Sequence, residues 1–233
     1  MRLYFSGCSW TYGQELEDRE KSRFSTLVGE HFKAEVINTG KKGSSIQRML
    51  RATYELCNPK EIDAAILQFT MPARNEYFVD GLGWKTRDDS FTGLHPKRRP
   101  EHMSSYLLPD HWEYMQHYYK TAYTEEYGLT QEYIVFQALQ DYFARHNVPV
   151  VTMTLNNESP LPFDIFLRKE NLPLAPRAHP TEEGHKIIAD KIQKILAQRL
   201  DKPTYANAKE SHLTRIKRLY ENLFNPIDQT DYR

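Results

Sequence analysis

The sequence contains only two cysteines, Cys8 and Cys57, among 233 residues. Two cysteines do not make the disulfide framework that many small secreted proteins depend on. No stretch approaches the roughly 20 consecutive apolar residues that a membrane-spanning helix needs, and no signal peptide precedes the first apolar segment. We therefore expect a soluble, cytoplasmic protein without a membrane partner, which could leave the cell by lysis or as part of a virion.

An excess of either charge is also missing, because Lys+Arg and Asp+Glu both total 31. This balance gives no reason to expect nucleic acid as a partner. His, Cys, Asp and Glu do not recur at the spacing of metal ligands, so the sequence implies no metal and no cofactor. What it does contain is 39% hydrophobic and 12% aromatic residues, enough for the core of one large domain.

The stretch that organises the chain begins almost at the first residue. Leu3 to Phe5 is a short apolar run typical of a buried strand, and Ser6-Gly7 ends it. Cys8 and Ser9 follow on a turn of small residues, a place where an α/β sheet can present a nucleophile. The simpler interpretation is a strand followed by a Ser/Gly turn.

Two further segments decide between these interpretations. Asn38 to Ser45 follows a predicted strand and reads Asn-Thr-Gly-Lys-Lys-Gly-Ser-Ser, while His179 to His185 opens a predicted helix and reads His-Pro-Thr-Glu-Glu-Gly-His. With Gly7-Cys8-Ser9 they resemble, in the same order, the three motifs of the SGNH (GDSL-type) hydrolases: Gly-Asp-Ser, Asn-x-Gly-x-x-Gly-x-Ser/Thr and His-Pro. Members with a Gly-Cys-Ser start look like ones seen among bacterial and phage proteins.

The resemblance implies a nucleophile and a base. Ser9 takes the place of the family's serine, and His179 that of its histidine before proline, while the later His185 is structural or variable in that pattern. A serine hydroxyl is a weak nucleophile at neutral pH and needs such a base within hydrogen-bond reach.

The family also supplies hydrogen-bond donors for the oxyanion that develops in acyl transfer. The resemblance assigns them to the backbone N–H of Ser9, to that of Gly43 (with Gly40 as the alternative) and to an asparagine after the third strand. The sequence has no Gly-x-Asn-Asp there, so Asn75 is the candidate if the turn is longer. Arg74 could instead hold a substrate anion or oxygen, and Trp10 is a further candidate substrate contact.

The orienting acid is the largest departure from the family. The family usually has aspartate three residues before the histidine, and Pro176 occupies that position here. Four alternatives remain: a Ser-His dyad, an acid from elsewhere such as Asp164, a backbone carbonyl that orients the ring, or loss of catalysis. Cys8, in place of the motif's aspartate, is compatible with all four.

Apolar strands alternate with amphipathic helices along residues 1–200, which predicts a parallel sheet with helices on both faces. The resemblance adds a three-layer α/β/α fold with flavodoxin-like strand order. Residues from about 71 to 125 do not fit the βα repeat and are interpreted as an insertion. Residues 201–233 form a C-terminal extension, in which an apolar stripe within residues 212–224 predicts a helix.

These observations favour an ester hydrolase. It would be an esterase or deacetylase that acts on a small ester or an acylated carbohydrate through Ser9 and His179. The alternative is an SGNH scaffold of weak or no activity that serves as a structural or binding protein, for example in a phage particle. In either case, residues 212–224 are expected to contact a second copy of the chain or another protein of an assembly.

Overall fold

The computed structural model describes residues 1–78, 91–94 and 109–201. Five parallel strands form its central sheet, in the order β2-β1-β3-β6-β7. Renumbered as consecutive core strands, this order is 2-1-3-4-5, the flavodoxin-like order, so the predicted fold class is confirmed. The strands are β1 (Arg2–Ser6), β2 (Glu35–Asn38), β3 (Ala64–Phe69), β6 (Val150–Thr154) and β7 (Ile165–Phe166).

Helices cover both faces of the sheet. One hydrophobic cluster packs α1 (Ser9–Tyr12), α3 (Phe24–Phe32) and α7 (Glu182–Leu200) against one face. A second cluster packs α4 (Ile46–Leu56) and α6 (Glu125–Ala144) against the other. The short α2 (Arg19–Ser22) precedes α3. All six residues of β3 are buried, as expected for a central strand covered on both faces.

The predicted insertion contains elements of its own in its described parts. An antiparallel hairpin pairs β4 (Asn75–Phe78) with β5 (Phe91–Leu94), and α5 (Pro109–Thr121) follows. Two hydrogen-bonded contacts attach β4 to α4: Gln47 Nε2 donates to Asn75 Oδ1 (2.8 Å), and Arg51 Nε donates to Glu76 Oε1 (3.1 Å). The hairpin therefore lies beside the first turns of α4.

Two short elements depart from the sequence-based expectation. Residues 9–12 form a helical turn, where the sequence predicts a turn of small residues, and Ile165–Phe166 add a fifth strand of only two residues. Both are too short to produce a hydrophobic period. The predicted C-terminal helix lies outside the described residues. In the part of the chain that is described, no helix combines the length and apolar character needed to cross a bilayer.

Candidate active site

The turn that carries Ser9 is held tightly against β3. The Cys8 N–H donates to Gln68 Oε1 (3.0 Å), and the Thr11 hydroxyl donates to the same oxygen (3.1 Å). A Cβ at Gly7 would lie 2.2 Å from Thr11 Oγ1 and 2.8 Å from Gln68 Oε1. Only glycine allows the turn to approach this closely, so the Gly-Cys-Ser sequence places Ser9 at the carboxyl end of β1.

Ser9, His179 and Glu15 form a hydrogen-bonded chain. Ser9 Oγ lies 3.0 Å from His179 Nε2, and His179 Nδ1 lies 2.6 Å from Glu15 Oε2. Because an ionised carboxylate only accepts hydrogen bonds, the Nδ1 atom donates to Glu15, and Nε2 is left to accept from the Ser9 hydroxyl. The arrangement has the geometry of a nucleophile, a base and an acid that orients the base.

Glu15 comes from the turn directly after α1, not from the segment before His179. Its side chain keeps 16% of its surface exposed and that of His179 keeps 13%, although Glu15 as a whole residue is exposed. Partial burial acts to raise the pKa of the Glu15 carboxyl. Hydrogen bonds from His179 and from the Arg177 N–H (3.1 Å) outweigh this effect and lower the pKa below its usual value.

Unusual backbone conformations flank this contact. Glu15 has φ of 73°, and Ala178, the residue before His179, has φ of 63°. Residues other than glycine rarely adopt this left-handed region, and such strain is concentrated at functional sites. On the far side of His179, the Thr181 hydroxyl accepts from the Gly184 N–H and caps α7, which fixes where the helix begins.

His185 lies in the core and has a structural role. It is fully buried, its Nδ1 accepts from the Phe24 N–H (3.2 Å), and its ring stacks on Phe24 at 5.5 Å. Burial, with a smaller effect of His179, lowers the pKa of His185 to about 4. The expectation that His179, rather than His185, approaches Ser9 agrees with this geometry.

The Gly-rich loop after β2 lies next to the Ser9 turn, because β2 pairs directly with β1. Thr39 N–H donates to the Phe5 carbonyl (2.9 Å), and Lys41 N–H donates to the Gly7 carbonyl (3.2 Å). Gly40 N–H is engaged by Asn38 Oδ1 (2.8 Å) inside the loop. Gly43, with φ of 71°, has an N–H that donates to no described residue, which makes it the better candidate of the two glycines.

Asn75 is engaged on both sides of its amide. Its Oδ1 accepts from Gln47, and its Nδ2 donates to the Tyr118 hydroxyl (2.9 Å). The Nδ2 atom carries two hydrogens, so the bond to Tyr118 leaves one N–H for the predicted role as an oxyanion donor. Within the described residues, the neighbouring Arg74 has two buried guanidinium nitrogens, Nε and Nη1, without a hydrogen-bond partner.

Two other residues predicted from the sequence, Trp10 and Asp164, make contacts within the fold. Trp10 is 6% exposed and packs in the cluster with α3 and α7, so its predicted contact with substrate is left to that small exposed fraction. Asp164 accepts from the Thr152 N–H (2.8 Å) and pairs with Arg199. It thus joins β6 to α7 and is not the acid at His179.

A scan against protein-family models and a search of curated proteins found no match. Among solved structures, 42 chains match. The psychrotrophic esterase EstA from Pseudoalteromonas sp., in a structure inhibited by monoethylphosphonate, is 11% identical, with 86% of this chain and 99% of that chain covered and a TM-score of 0.50.

Two other matches are similar in extent. A protein described as lipolytic and of the G-D-S-L family, from Desulfitobacterium hafniense, is 12% identical over 83% of this chain and 98% of that one, with a TM-score of 0.45. The acetyl xylan esterase AlAXEase is 14% identical over 84% and 100%, with a TM-score of 0.48. At these identities, the likeness concerns the fold.

Proposed function

From the SGNH (GDSL-type) hydrolase fold of this chain, we propose that it is a serine ester hydrolase. Ser9 is the nucleophile, His179 the general base, and Glu15 the acid that orients His179. The observation that carries the proposal is the continuous chain of contacts at 3.0 Å and 2.6 Å between these three side chains. Such a chain gives the serine a base and gives the base a fixed orientation.

The chemistry follows from the proton positions in this chain. His179 Nε2 takes the hydroxyl proton as Ser9 Oγ attacks the ester carbonyl, and the Glu15 carboxylate stabilises the imidazolium that forms. The tetrahedral intermediate collapses, the ester C–O bond breaks, and the imidazolium returns its proton to the leaving alcohol. Water, deprotonated by His179, then attacks the acyl carbonyl, the bond from this carbon to Ser9 Oγ breaks, and the imidazolium returns the proton to Oγ as the acid leaves.

Two backbone N–H groups are proposed to stabilise the oxyanion. That of Ser9 is in the first turn of α1, where no intrahelical acceptor exists. That of Gly43 is in the adjacent loop. Neither donates to any residue in the described part of the chain. Preorganised donors of this kind are typically worth about 10²–10³ in rate for each one.

The alternative of an inactive scaffold depended on the absence of an orienting acid before His179. Glu15 offers that acid from another part of the chain, so the main argument for the alternative no longer holds. The ordered contact between Ser9 and His179, with Ser9 5% exposed, also favours retained chemistry.

We extend the proposal to small acyl esters, including acylated carbohydrates, as the sequence resemblance implies. Acetate release from p-nitrophenyl acetate and from acetylated xylan and mannan oligosaccharides tests this part. Turnover of the aryl ester alone would restrict the proposal to simple esters.

Labelling with a fluorophosphonate probe tests the nucleophile directly. The wild-type chain is expected to be labelled at Ser9, and Ser9→Ala is expected to lose both labelling and ester hydrolysis. Ser22→Ala is the matched control, since the Ser22 hydroxyl donates to Glu182 and not to Ser9, His179 or Glu15. Equal labelling of wild type and Ser9→Ala, or no hydrolysis of any ester by a folded wild-type chain, would overturn the proposal.

A further inference from the structure

The loop after β3 presents an uncompensated positive charge. Arg74 is partly buried, and its Nε and Nη1 atoms are shielded from solvent without a hydrogen-bond acceptor among residues 1–78, 91–94 and 109–201. A guanidinium stays protonated at all physiological pH values. Burying such donors unpaired costs free energy, so an arginine in this state signals an acceptor that binds to it.

Its position in the fold relates Arg74 to the Ser9 site. Strands β1 and β3 are direct neighbours, with Ser6 opposite Leu67, so the loops that follow them leave the same edge of the sheet side by side. In open α/β sheets, ligands bind in the crevice beyond the carboxyl ends of the strands.

Helix α4 also connects the proposed oxyanion donor Gly43 to the segment that carries Arg74. Gly43 precedes α4 closely, and Gln47 in the first turn of this helix donates to Asn75, the residue next to Arg74. The bond between Asn75 and Tyr118 holds the segment from the other side. The backbone that carries Arg74 is therefore fixed by α4 and α5.

Charge in the surrounding loops points to an anion as the missing acceptor. Residues 39–45, after β2, contain Lys41 and Lys42, and Arg74 follows β3, while the nearby carboxylates of Glu15 and Glu76 are already paired with His179 and Arg51. The whole chain is electrically balanced. Arg74 is thus a positive charge without a hydrogen-bonded acceptor at Nε and Nη1 among the described residues, at the edge where the ester is proposed to bind.

From these observations we infer that Arg74 binds an anionic group, a carboxylate or a phosphate, of the ester substrate that reacts at Ser9. The inference rests on the proposed function and specifies its substrate class: esters that carry a negative charge in addition to the scissile bond. Arginine suits this role because its planar donors match carboxylate and phosphate oxygens.

Matched pairs of esters test the charge preference. One pair places the charge on the acyl group, 4-nitrophenyl hemiglutarate against 4-nitrophenyl butyrate, and the other on the leaving group, 4-acetoxybenzoate against phenyl acetate. Wild type is expected to favour the charged member of at least one pair. Arg74→Met is expected to lower kcat/KM for that member by about 10- to 100-fold and to leave the neutral member nearly unchanged. Arg74→Lys should retain part of the preference.

Arg145→Met is the control, because Arg145 is an exposed arginine at the end of α6, on the opposite edge of the sheet. Equal kcat/KM values for both members of both pairs in wild type would overturn the inference. An undiminished preference in Arg74→Met would do so as well.

A binding measurement separates this inference from the proposed function. Calorimetric titration of the Ser9→Ala chain with 4-nitrophenyl hemiglutarate, 4-acetoxybenzoate and inorganic phosphate at low salt requires no turnover. Binding of any of these anions that is lost in Ser9→Ala/Arg74→Met supports the anion site even if no ester is hydrolysed. Equal binding by the two variants, or no binding by either, overturns the anion site and leaves the ester hydrolase proposal standing.

Discussion

Glu15 and His179 are separated by 164 positions in the sequence, yet Glu15 Oε2 lies 2.6 Å from His179 Nδ1. The acid comes six residues after the proposed nucleophile, so the turn that begins at Ser9 carries two of the three interacting side chains. Both Glu15 and Ala178 adopt left-handed backbone conformations to make this contact. The segment that carries His179 contributes the base and the Arg177 N–H that donates to Glu15, but no acid, which explains how Pro176 can stand where the family usually has aspartate.

We predict that Glu15→Gln lowers kcat by about 10²–10⁴ with a smaller effect on KM. An amide in place of the carboxylate neither fixes the required tautomer of His179 nor stabilises its charged form. Steady-state kinetics with p-nitrophenyl acetate and the rate of fluorophosphonate labelling measure the loss. Since Glu15→Asp keeps the charge on a shorter side chain, it should recover part of the activity.

Glu17→Gln provides the matched control for Glu15→Gln, because Glu17 is an exposed carboxylate two positions further along the same loop. It should leave kcat within about twofold of wild type, as surface substitutions usually do little. If Glu15→Gln also stayed within threefold of wild type, Glu15 would be no more than a surface carboxylate near His179.

The sequence predicted Ser9 and His179 but not Glu15, and the reason is physical. Apolar runs in the sequence indicate buried strands, and the motifs mark where strands end. Glu15 belongs to a polar loop with Glu17 and Asp18, and no periodicity distinguishes the carboxylate that turns inward. Its selection depends on a left-handed φ at a residue that is not glycine, which local sequence does not encode.

The same limit applies to the fold. The four longer core strands and the helices around them followed from apolar patterning, and their order followed from the family resemblance. The two-residue β7 and the one-turn α1 are fixed by tertiary contacts instead. For β7, Asp164 N–H donates to the Thr152 carbonyl (3.0 Å), and the Asp164 side chain pairs with Arg199. These contacts join residues distant in sequence, which a local pattern does not show.

We predict that Gly43→Ala reduces kcat by about tenfold or more. At φ of 71° an alanine is strained by roughly 1–2 kcal/mol, so the loop relaxes and its N–H moves. Complete loss of one oxyanion donor would cost about 10²–10³. Kinetics with p-nitrophenyl acetate and thermal unfolding should be measured on the same preparation.

Lys42→Ala, at the neighbouring position, controls for disturbance of the loop in the Gly43→Ala experiment. It leaves the backbone of Gly43 free to keep its conformation. A Gly43→Ala chain that unfolds at lower temperature but retains wild-type kcat would remove Gly43 from the oxyanion site and leave it only a conformational role.

The C-terminal extension remains a sequence-based prediction. Its apolar stripe consists of Leu213, Ile216, Leu219, Tyr220 and Leu223. Burying such side chains is worth roughly 1.5–3 kcal/mol each, so they are expected to pack against a partner surface. Deleting residues 203–233 should leave residues 1–200 folded and hydrolysis intact while changing the oligomeric or assembly state.

Light scattering coupled to gel filtration, on full-length and truncated chains, measures that change. A truncated chain that does not fold would assign the stripe to the core. The same number of chains per particle in both proteins would contradict self-association, and a protein of an assembly would then be the expected partner.

Finally, Glu132 is predicted to make stability depend on pH. This carboxyl in α6 is fully buried; its Oε2 accepts from Ser159 Oγ (2.7 Å), and Oε1 has no partner in the described chain. Burial raises the pKa of Glu132 to about 7 from 4.5, and hydrogen bonds from Ser159 and Asn156 offset part of the rise. The folded state therefore favours the protonated acid.

The sign of the effect follows from that direction. Between pH 4.5 and 7 the folded chain holds a proton that the unfolded chain has lost, so stability falls as pH rises through this window. The full loss is at most roughly 3 to 4 kcal/mol, because each pKa unit between 4.5 and about 7 is worth about 1.4 kcal/mol. Glu132→Gln does not titrate, so its free energy of unfolding relative to wild type should increase from pH 5 to pH 8.

Urea unfolding at pH 5, 6, 7 and 8 measures this difference. Comparing the variant with wild type at each pH cancels the titration of groups common to both, including His185, whose pKa of about 4 matters on the acid side. Glu126→Gln, an exposed position on the same helix, should show a difference that does not change with pH. A similarly constant difference for Glu132→Gln would mean that the buried carboxyl has an ordinary pKa, and that water or local opening of α6 reaches it.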